Sequence, residues 1–254
     1  MKRLDAIWAL LLGLALWQGI VWITSAPHFI LPSPWRVAQA AFNSREVIAE
    51  NALVTLTEVL LGLFIGTVLG ALTAIQLAMS STARRLMLPI LVFTQAVPVF
   101  ALAPVLTLWF GYGIGSKIVM AVLIIYFPVT SAFHDGLSRV DRGLLDLART
   151  MGATPMQIMR RIKIPAALPS LGSGLRLAAV YAPIGAVIGE WVGASKGLGY
   201  LMLLANGRAK IDLMFASLIA LAVMTVILHK SVGLLATQLE HYAAGGRERE
   251  HDRG

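Results

Sequence analysis

Long apolar runs alternate with short polar interruptions along almost the whole chain. A transmembrane helix needs about 20 predominantly apolar residues, and six runs approach or exceed that length. They cover approximately residues 6–24, 52–79, 86–109, 117–133, a stretch that begins near 170, and 214–235. The pattern predicts an all-α, polytopic membrane protein with about six transmembrane helices, in which residues 1–254 form one transmembrane domain and 243–254 a polar tail.

The most extended polar interruption, residues 141–169, has helix signals of its own. It reads DRGLLDLARTMGATPMQIMRRIKIPAALP. A short amphipathic helix is predicted because apolar residues recur at helical spacing at Leu144, Leu147, Ala148 and Met151. Gly152 is suited to end this helix, since glycine adopts the left-handed conformation easily.

A second short helix is predicted directly after the first. Thr154 is a good N-cap, Pro155 fits the first helical position, and Gln157 completes a capping box of the Thr-x-x-Gln type. The helix has a basic end, formed by Arg160, Arg161 and Lys163. Pro165 is expected to stop it. The segment is therefore predicted to be two short helices joined by a turn, between two membrane spans.

The residues Asp146, Ala148, Gly152, Ile162 and Pro165 have a characteristic spacing in this segment. It resembles the cytoplasmic coupling loop of bacterial ABC importer permeases, Glu-Ala-Ala, three residues, Gly, nine residues, Ile-x-Leu-Pro. The chain departs from that pattern with Asp146 for Glu, Leu147 for the first Ala and Ile164 for Leu. The alternative is that any polytopic membrane protein contains a polar loop with a glycine and a proline.

The resemblance implies the type I importer fold and a transport subunit that is not itself an enzyme. In that family the loop sits in a groove of a separate ATP-binding subunit. ATP and Mg²⁺ belong to that subunit, so no cofactor is expected in this chain. The resemblance also implies a second copy of the chain as a partner, a periplasmic or lipid-anchored solute-binding protein, and a place among the lipids of the bacterial inner membrane.

The third apolar run adds a finer resemblance. Its sequence QAVPVFALAPVLTLWFGYGIGSK is similar to permeases of the nitrate, sulfonate and taurine importer group. Within that group it looks most like permeases assigned to pyrimidine precursors of thiamine. The later stretch GASKGLGY, residues 193–200, resembles an outer-end motif of the same family. Pro89, Pro98 and Pro104 are expected to break this third span, which makes it a candidate for lining the solute path.

Two spans carry glycine at every fourth position. The first stripe is Gly62, Gly66 and Gly70, and the second is Gly185, Gly189 and Gly193. Small residues on one stripe let two helix backbones approach closely, so these faces are predicted to pack on other helices. The alternative is that glycine is simply commoner in membrane helices.

Composition and charge agree with a membrane protein. The chain is 57% hydrophobic and 13% charged, which excludes an ordinary soluble domain. The net charge of +8 is explained by loop lysines and arginines rather than by nucleic acid, because these residues accumulate on the cytoplasmic side. Arg84 and Arg85 are predicted to form a short inside loop. Only six of the 21 basic residues fall in predicted outside segments: Arg36, Arg45, Lys117, Lys196, Arg208 and Lys210. Both termini are therefore predicted to be cytoplasmic.

No catalytic or metal site is predicted. The chain has no cysteine and no Gly-Lys dipeptide, so it lacks thiolate ligands and the phosphate-binding loop of P-loop ATPases. Its five histidines are scattered. A secondary transporter would show internal repeats and buried coupling-ion carboxylates, and a membrane-embedded enzyme would need a clustered site within the spans.

Four residues are candidates for solute contact, and each has a structural alternative. Gln95 can hydrogen-bond a polar solute or link two helices. Trp109 can stack on a flat ring or anchor the chain at the membrane interface. Glu58 can meet solute from outside, or be interfacial or paired. Glu190 can contact a docking protein or form a salt bridge inside the permease.

Overall fold

The computed structural model describes residues 3–251, and within that range the chain forms helices and no strand. The helices in the first half are α1 (Arg3–Thr24), α2 (Pro34–Asn43), α3 (Arg45–Met79), α4 (Ser81–Ala96), α5 (Val99–Phe110) and α6 (Ile114–Ser138). Those in the second half are α7 (Arg142–Thr150), α8 (Pro155–Ile158), a π-helical turn (Met159–Lys163), α9 (Ile164–Gly193), α10 (Leu198–Gly207) and α11 (Ile211–His251). The all-α prediction is confirmed.

Five helical segments are long and apolar enough to cross a membrane. They are Ile7–Thr24, Arg45–Met79, Ile114–Ser138, Pro155–Gly193 and Ile211–His241. A sixth span results if α4 and α5 count as one bent segment. This agrees with the predicted number of about six. The helix α11 also extends through most of the predicted polar tail, whose last residues, 252–254, lie outside the described residues.

The third predicted span is a helix pair bent by 99° rather than one helix. Of its three prolines only Pro98 lies at the break, where it is the N-cap of α5, whereas Pro89 and Pro104 lie inside α4 and α5. Proline disfavours the helical conformation in the residue before it, so Val97 is extended and α4 ends. The prediction of a span broken at all three prolines is therefore wrong at two of them.

The predicted inside loop at Arg84 and Arg85 is also absent. Both residues lie in α4, and Ser80 is the single non-helical residue between α3 and α4. The Ser80 hydroxyl accepts a hydrogen bond from the Ala83 backbone N–H, which caps the start of α4. One extended, capping residue is enough to end α3 and begin α4.

The fifth predicted span begins earlier than residue 170, because Pro165 does not stop the preceding helix. Helix α8, the π turn and α9 run as one helical segment, Pro155–Gly193. The Ile164 N–H donates to the Met159 carbonyl, five residues earlier. This π turn inserts one residue just before Pro165, so the regular clash of the proline ring with the carbonyl four residues earlier is avoided.

The core lies where α6 packs against α3 and α9, and α11 packs mainly on α9. The predicted glycine stripes form these contacts. A Cβ added at Gly62 would lie 2.5 Å from the Cβ of Ala121, and one at Gly185 would lie 2.7 Å from the Ala121 Cα. The prediction that both stripes pack on another helix is confirmed. Both stripes contact α6, except at Gly193, where an added Cβ would meet Thr107 of α5 and Tyr112 in the turn before α6.

The N-terminal part of the chain packs at one end of this core. Helix α2 starts at the N-cap Ser33, and its Val37 is buried. The side chain of Trp17 on α1 donates to the Pro32 carbonyl at 3.1 Å and stacks on Phe215 of α11. Apart from this contact region, α1 exposes most of its apolar side chains, as a lipid-facing span does.

Candidate coupling site and buried polar cluster

Helix α7 presents two opposite faces, since successive residues turn by about 100°. One face carries all three of its charged residues and one leucine: Arg142, Leu145, Asp146 and Arg149. The other face is apolar: Leu144, Leu147, Ala148 and Met151. Leu145 is buried, whereas Leu147 and Met151 are 57% and 79% exposed. The apolar face therefore points away from the chain's own core, the reverse of an ordinary surface helix.

The end of α7 explains two positions of the coupling motif. Gly152 has φ +82°, the left-handed conformation that favours glycine. Its N–H donates to the Arg149 carbonyl at 2.9 Å, and the Ala153 N–H donates to the Ala148 carbonyl at 3.0 Å. These two bonds form a Schellman motif, so the spacing from Ala148 to Gly152 closes the helix and reverses the chain.

The predicted capping box is present at the start of α8. The Gln157 N–H donates to the Thr154 hydroxyl at 3.3 Å, and the Thr154 N–H donates to the Gln157 side chain at 2.8 Å. Pro155 occupies the first turn, as predicted. The turn between α7 and α8 is thus fixed on one side by the Schellman motif and on the other by this box.

The five predicted coupling residues are spread along this segment. Asp146 is exposed and pairs with Arg149 at 2.7 Å, and Gly152 lies at the exposed turn. Ala148 is half-buried. Ile162 and Pro165 are half-buried in the π turn and the first turn of α9. The segment leads directly from the exposed α7 into a membrane span, and its role in coupling stays a prediction.

Two of the four predicted solute-contact residues lie together inside the protein. Glu58 on α3 and Glu190 on α9 are 2% and 1% exposed, and their carboxyl groups are neighbours. The Thr55 hydroxyl donates to Glu190 at 2.6 Å, and the Gly199 backbone N–H also donates to it. Glu190 therefore makes its polar contacts inside the chain itself. Neither carboxylate lies on the surface.

Lys117 on α6 completes this buried cluster, although the charge count had placed it among the outside residues. It is 1% exposed, and its Nζ donates to the Tyr112 and Gly193 carbonyls at 2.6 Å and 2.5 Å. Glu58 and Glu190 are close enough to interact with it electrostatically. A buried charge is tolerated when it is paired or bonded to carbonyls. Sequence reasoning missed Lys117 because it stands at the edge of an apolar run.

Helix α3 also holds the loop that precedes α10. The Asn51 side chain accepts from the Gly197 N–H, and the Thr55 hydroxyl accepts from the Leu198 N–H, both at 2.8 Å. Gly197 has φ +117°, and a Cβ there would collide with the Glu190 carboxylate. Part of the GASKGLGY stretch is thereby explained, because its glycine at 197 allows the backbone to reach Glu190.

Gln95 and Trp109 are not part of this cluster. Gln95 lies near the end of α4 and Trp109 near the end of α5, on the two arms of the bent pair. Both side chains are exposed, Trp109 to 73%. The structure thus separates the four candidates into a buried pair and two surface residues.

The arrangement of helices and coupling segment agrees with the comparison to known families. Residues 66–241 match the family described as "Binding-protein-dependent transport system inner membrane component". This range contains the coupling segment, Lys117 and Glu190. The chain belongs to this family. It is a permease subunit of an ABC importer.

Curated relatives agree on the permease role and differ in the solute that their names give. The permease is 50% identical over 87% of its length to a "Probable ABC transporter permease protein" from Haemophilus influenzae, covering 91% of that protein. It is 40% identical over 71% of its length to the "Formylaminopyrimidine transport permease protein ThiX" from Halalkalibacterium halodurans, covering 74% of it. Permeases named for riboflavin, aliphatic sulfonates and taurine are similar at 35%, 29% and 26% identity.

The fold is also that of a solved ABC transporter. A chain of the inward-facing MetNI methionine ABC transporter aligns with a TM-score of 0.68 over 78% of the permease and 98% of that chain. The sequence identity is 21%, so this similarity concerns the fold alone. It confirms the predicted type I importer architecture.

Proposed function

We propose that this permease passes a small, flat heteroaromatic solute, a pyrimidine precursor of thiamine, into the cytoplasm. In this proposal ATP hydrolysis in a separate subunit drives the transport. The solute class is supported by the similarity to permeases named for formylaminopyrimidine and riboflavin, which are both heteroaromatic. The ATP-driven mechanism is supported chiefly by the exposed apolar face of α7. Such a face on a short polar-flanked helix is typical of a protein-binding surface.

The proposed assembly has two copies of this permease, two ATP-binding subunits and a periplasmic or lipid-anchored solute-binding protein. Both termini lie in the cytoplasm of the bacterial cell, and α7 faces the ATP-binding subunit there. The excess of basic residues near α7 and the π turn supports this orientation, since lysine and arginine accumulate on the cytoplasmic side.

The continuity of α8, the π turn and α9 supports a direct mechanical route. The segment Pro155–Gly193 has 39 residues, which at 1.5 Å per residue is about 58 Å of helix. Its first turn follows the coupling turn, and its last turn carries Glu190. ATP-driven closure of the ATP-binding subunits would move the coupling segments together, and α9 would carry that movement to the buried cluster.

A second solute class has a specific observation in its favour. Permeases named for aliphatic sulfonates and taurine also match over 89% of this chain, although at lower identity. The alternative is therefore the same machinery acting on an aliphatic sulfonate, taurine or nitrate. In the pyrimidine case we propose that Trp109 stacks on the ring and that Gln95 hydrogen-bonds it.

Copurification with the ATP-binding subunit tests the coupling role. Tagged wild-type permease is expected to capture the subunit, and Gly152→Trp and Leu147→Glu are expected to abolish capture. The first substitution blocks the turn, and the second places a charge on the exposed apolar face without filling the core. Gly207→Trp is the matched control, because Gly207 is exposed at the end of α10 and has open space around it. Capture that ignores both α7 variants would contradict the proposal.

Uptake of labelled solutes separates the two solute classes. Cells that contain the permease, the ATP-binding subunit and the binding protein are expected to take up formylaminopyrimidine, and deletion of the permease is expected to abolish uptake. An excess of taurine should leave this uptake unchanged. Loss of taurine uptake, with pyrimidine uptake unaffected by the deletion, would favour the sulfonate alternative.

A further inference from the structure

A cavity of about 340 Å³ lies behind the coupling helix, on the side opposite its exposed apolar face. It is lined by α7, the π turn, the ends of α3 and α6, the start of α4, and the link between α6 and α7. Its lining includes four basic residues and one acidic residue: Arg84, Arg142, Arg149, Lys163 and Asp146. The apolar part of the wall comes from Ala78, Val140 and Leu145. We call this space the basic cavity.

The basic cavity has a strong excess of positive charge. Asp146 pairs with Arg149 at 2.7 Å and neutralises that one cation. Among the residues that the structure describes, no carboxylate lies within ion-pair distance of Arg84, Arg142 or Lys163. Three cations from α4, α7 and the π turn therefore converge on one space, and the described part of the chain supplies no ion-pair partner for them.

The surroundings indicate where an anion would come from. One and two turns after Arg84, helix α4 exposes the apolar side chains of Leu88 and Val92, at 41% and 57%. They stand four and eight positions after Arg84, so they lie on its side of the helix. A molecule with its anionic head in the cavity thus has an apolar surface beside it for hydrocarbon chains.

We propose that the basic cavity binds the phosphate group of an anionic ligand, with the headgroup of an anionic phospholipid as its principal source. Basic pockets between membrane helices on the cytoplasmic side suit such headgroups. Guanidinium groups bind phosphate oxygens with two parallel hydrogen bonds, which favours the arginines of this cavity. The choice of leaflet rests on the orientation given under the proposed function.

An occupied cavity would brace the coupling helix. Arg142 and Arg149 lie on the inner face of α7, and Arg84 and Lys163 lie on the parts of the chain opposite it. A phosphate bridging these groups links α7 to the ends of the membrane spans. Without an anion, like charges face one another across the cavity and favour its opening. The lipid would thereby set how firmly α7 is held when the ATP-binding subunit docks.

Native mass spectrometry of the full-length permease in detergent tests this proposal. Phosphatidylglycerol is expected to bind more tightly than phosphatidylcholine. The double variant Arg84→Gln/Arg142→Gln should weaken phosphatidylglycerol binding by about 25-fold, at about fivefold for each cation removed near a headgroup. The matched control is Lys196→Gln/Arg208→Gln, which removes two exposed cations in the loop before α10 and at its end. This control should bind phosphatidylglycerol like the wild type.

Inorganic phosphate distinguishes the two sources of the anion. Displacement of phosphatidylglycerol by millimolar phosphate in the wild type, and not in the double variant, would show that the phosphate group alone is recognised. Binding that resists phosphate but is lost in the double variant would assign the site to the whole lipid. Equal lipid binding by wild type and double variant, or an equal loss in the control, would overturn the proposal.

Capture of the ATP-binding subunit separates this inference from the proposed function. The double variant should still capture the subunit, because the exposed face of α7 is intact, whereas Gly152→Trp should lose capture and retain lipid binding. If the double variant loses capture while its lipid binding is unchanged, Arg84 and Arg142 serve the ATP-binding subunit and the lipid proposal is wrong. A similar thermal midpoint for both double variants would show that folding is not the cause.

Discussion

The coupling segment and the buried polar cluster are built in opposite ways. In the coupling segment, bonded residues are three to five positions apart, as in Asp146–Arg149 and Thr154–Gln157. In the cluster the partners are far apart in sequence: 135 positions for Thr55 and Glu190, and 76 for Lys117 and Gly193. One region is exposed and local, and the other is buried and assembled from four helices and a loop.

This difference has an energetic consequence. Exposed polar contacts exchange with water, so each contributes little to the free energy of unfolding. A buried donor that loses its acceptor has no water to replace it, so its loss is costly. We therefore expect stability to depend on the cluster, and partner binding to depend on the coupling segment.

The largest expected effect is that of Glu190→Ala. This change removes the acceptor of the Gly199 N–H and of the Thr55 hydroxyl, and leaves Lys117 with only one carboxylate nearby. Loss of such buried partners should lower the free energy of unfolding by about 3 kcal/mol or more. The thermal midpoint of the purified permease measures this effect. The control is Glu50→Ala, which removes an exposed carboxylate near the start of α3 and should change the thermal midpoint little.

An equal, small change in Glu190→Ala and Glu50→Ala would break the comparison. It would mean that water enters the cluster and replaces the lost hydrogen bonds. Lys117→Met, which removes the buried cation of the same cluster, is a second test of that result and should then also leave the thermal midpoint nearly unchanged.

A smaller effect is expected for Gly152→Ala in the coupling segment. The residue has φ +82° and open space around it, so the cost is conformational rather than steric packing. A non-glycine residue in this conformation costs about 1 to 2 kcal/mol. Hydrogen exchange of the amides at 147–153 should accelerate, with a smaller fall in the thermal midpoint than in Glu190→Ala. The control is Gly233→Ala, at a helical glycine of α11 with open space around it, and this change should not accelerate exchange at 147–153.

The smallest effect is expected for Thr154→Ala, which removes only half of the capping box. The Gln157 side chain can still accept from the backbone N–H of residue 154. We expect a loss of about 0.5 to 1 kcal/mol, seen as faster hydrogen exchange at the start of α8. Thr154→Ser keeps the hydroxyl and should restore the wild-type rate. If Thr154→Ala destabilises the permease as much as Glu190→Ala does, the distinction between the regions is wrong.

Several features of the coupling segment were predictable because they depend on near neighbours. The left-handed Gly152 and the Thr154 capping box require only the identities of residues within a few positions, and both are present. The glycine stripes were also predictable as contact faces. Their main partner, α6, was not predictable, because the sequence of the stripes does not indicate which helix packs against them.

The wrong predictions at prolines share a physical cause. Pro165 has the local properties of a helix breaker, yet a π turn accommodates it and the helix continues into the membrane. Pro89 and Pro104 have the same local properties, yet both lie inside helices. In these cases the surrounding helical structure, rather than the residue type alone, decides the outcome.

The sequence by itself determined the membrane class, the helical composition, the family and the turn chemistry of the coupling segment. These follow from hydrophobic run lengths and from contacts between residues close along the chain. Only the tertiary structure decided which face of α7 is free, which cations share the basic cavity, and that Glu58, Lys117 and Glu190 meet. Those facts depend on how distant helices pack, because burial in a membrane protein brings together polar groups that no local pattern connects.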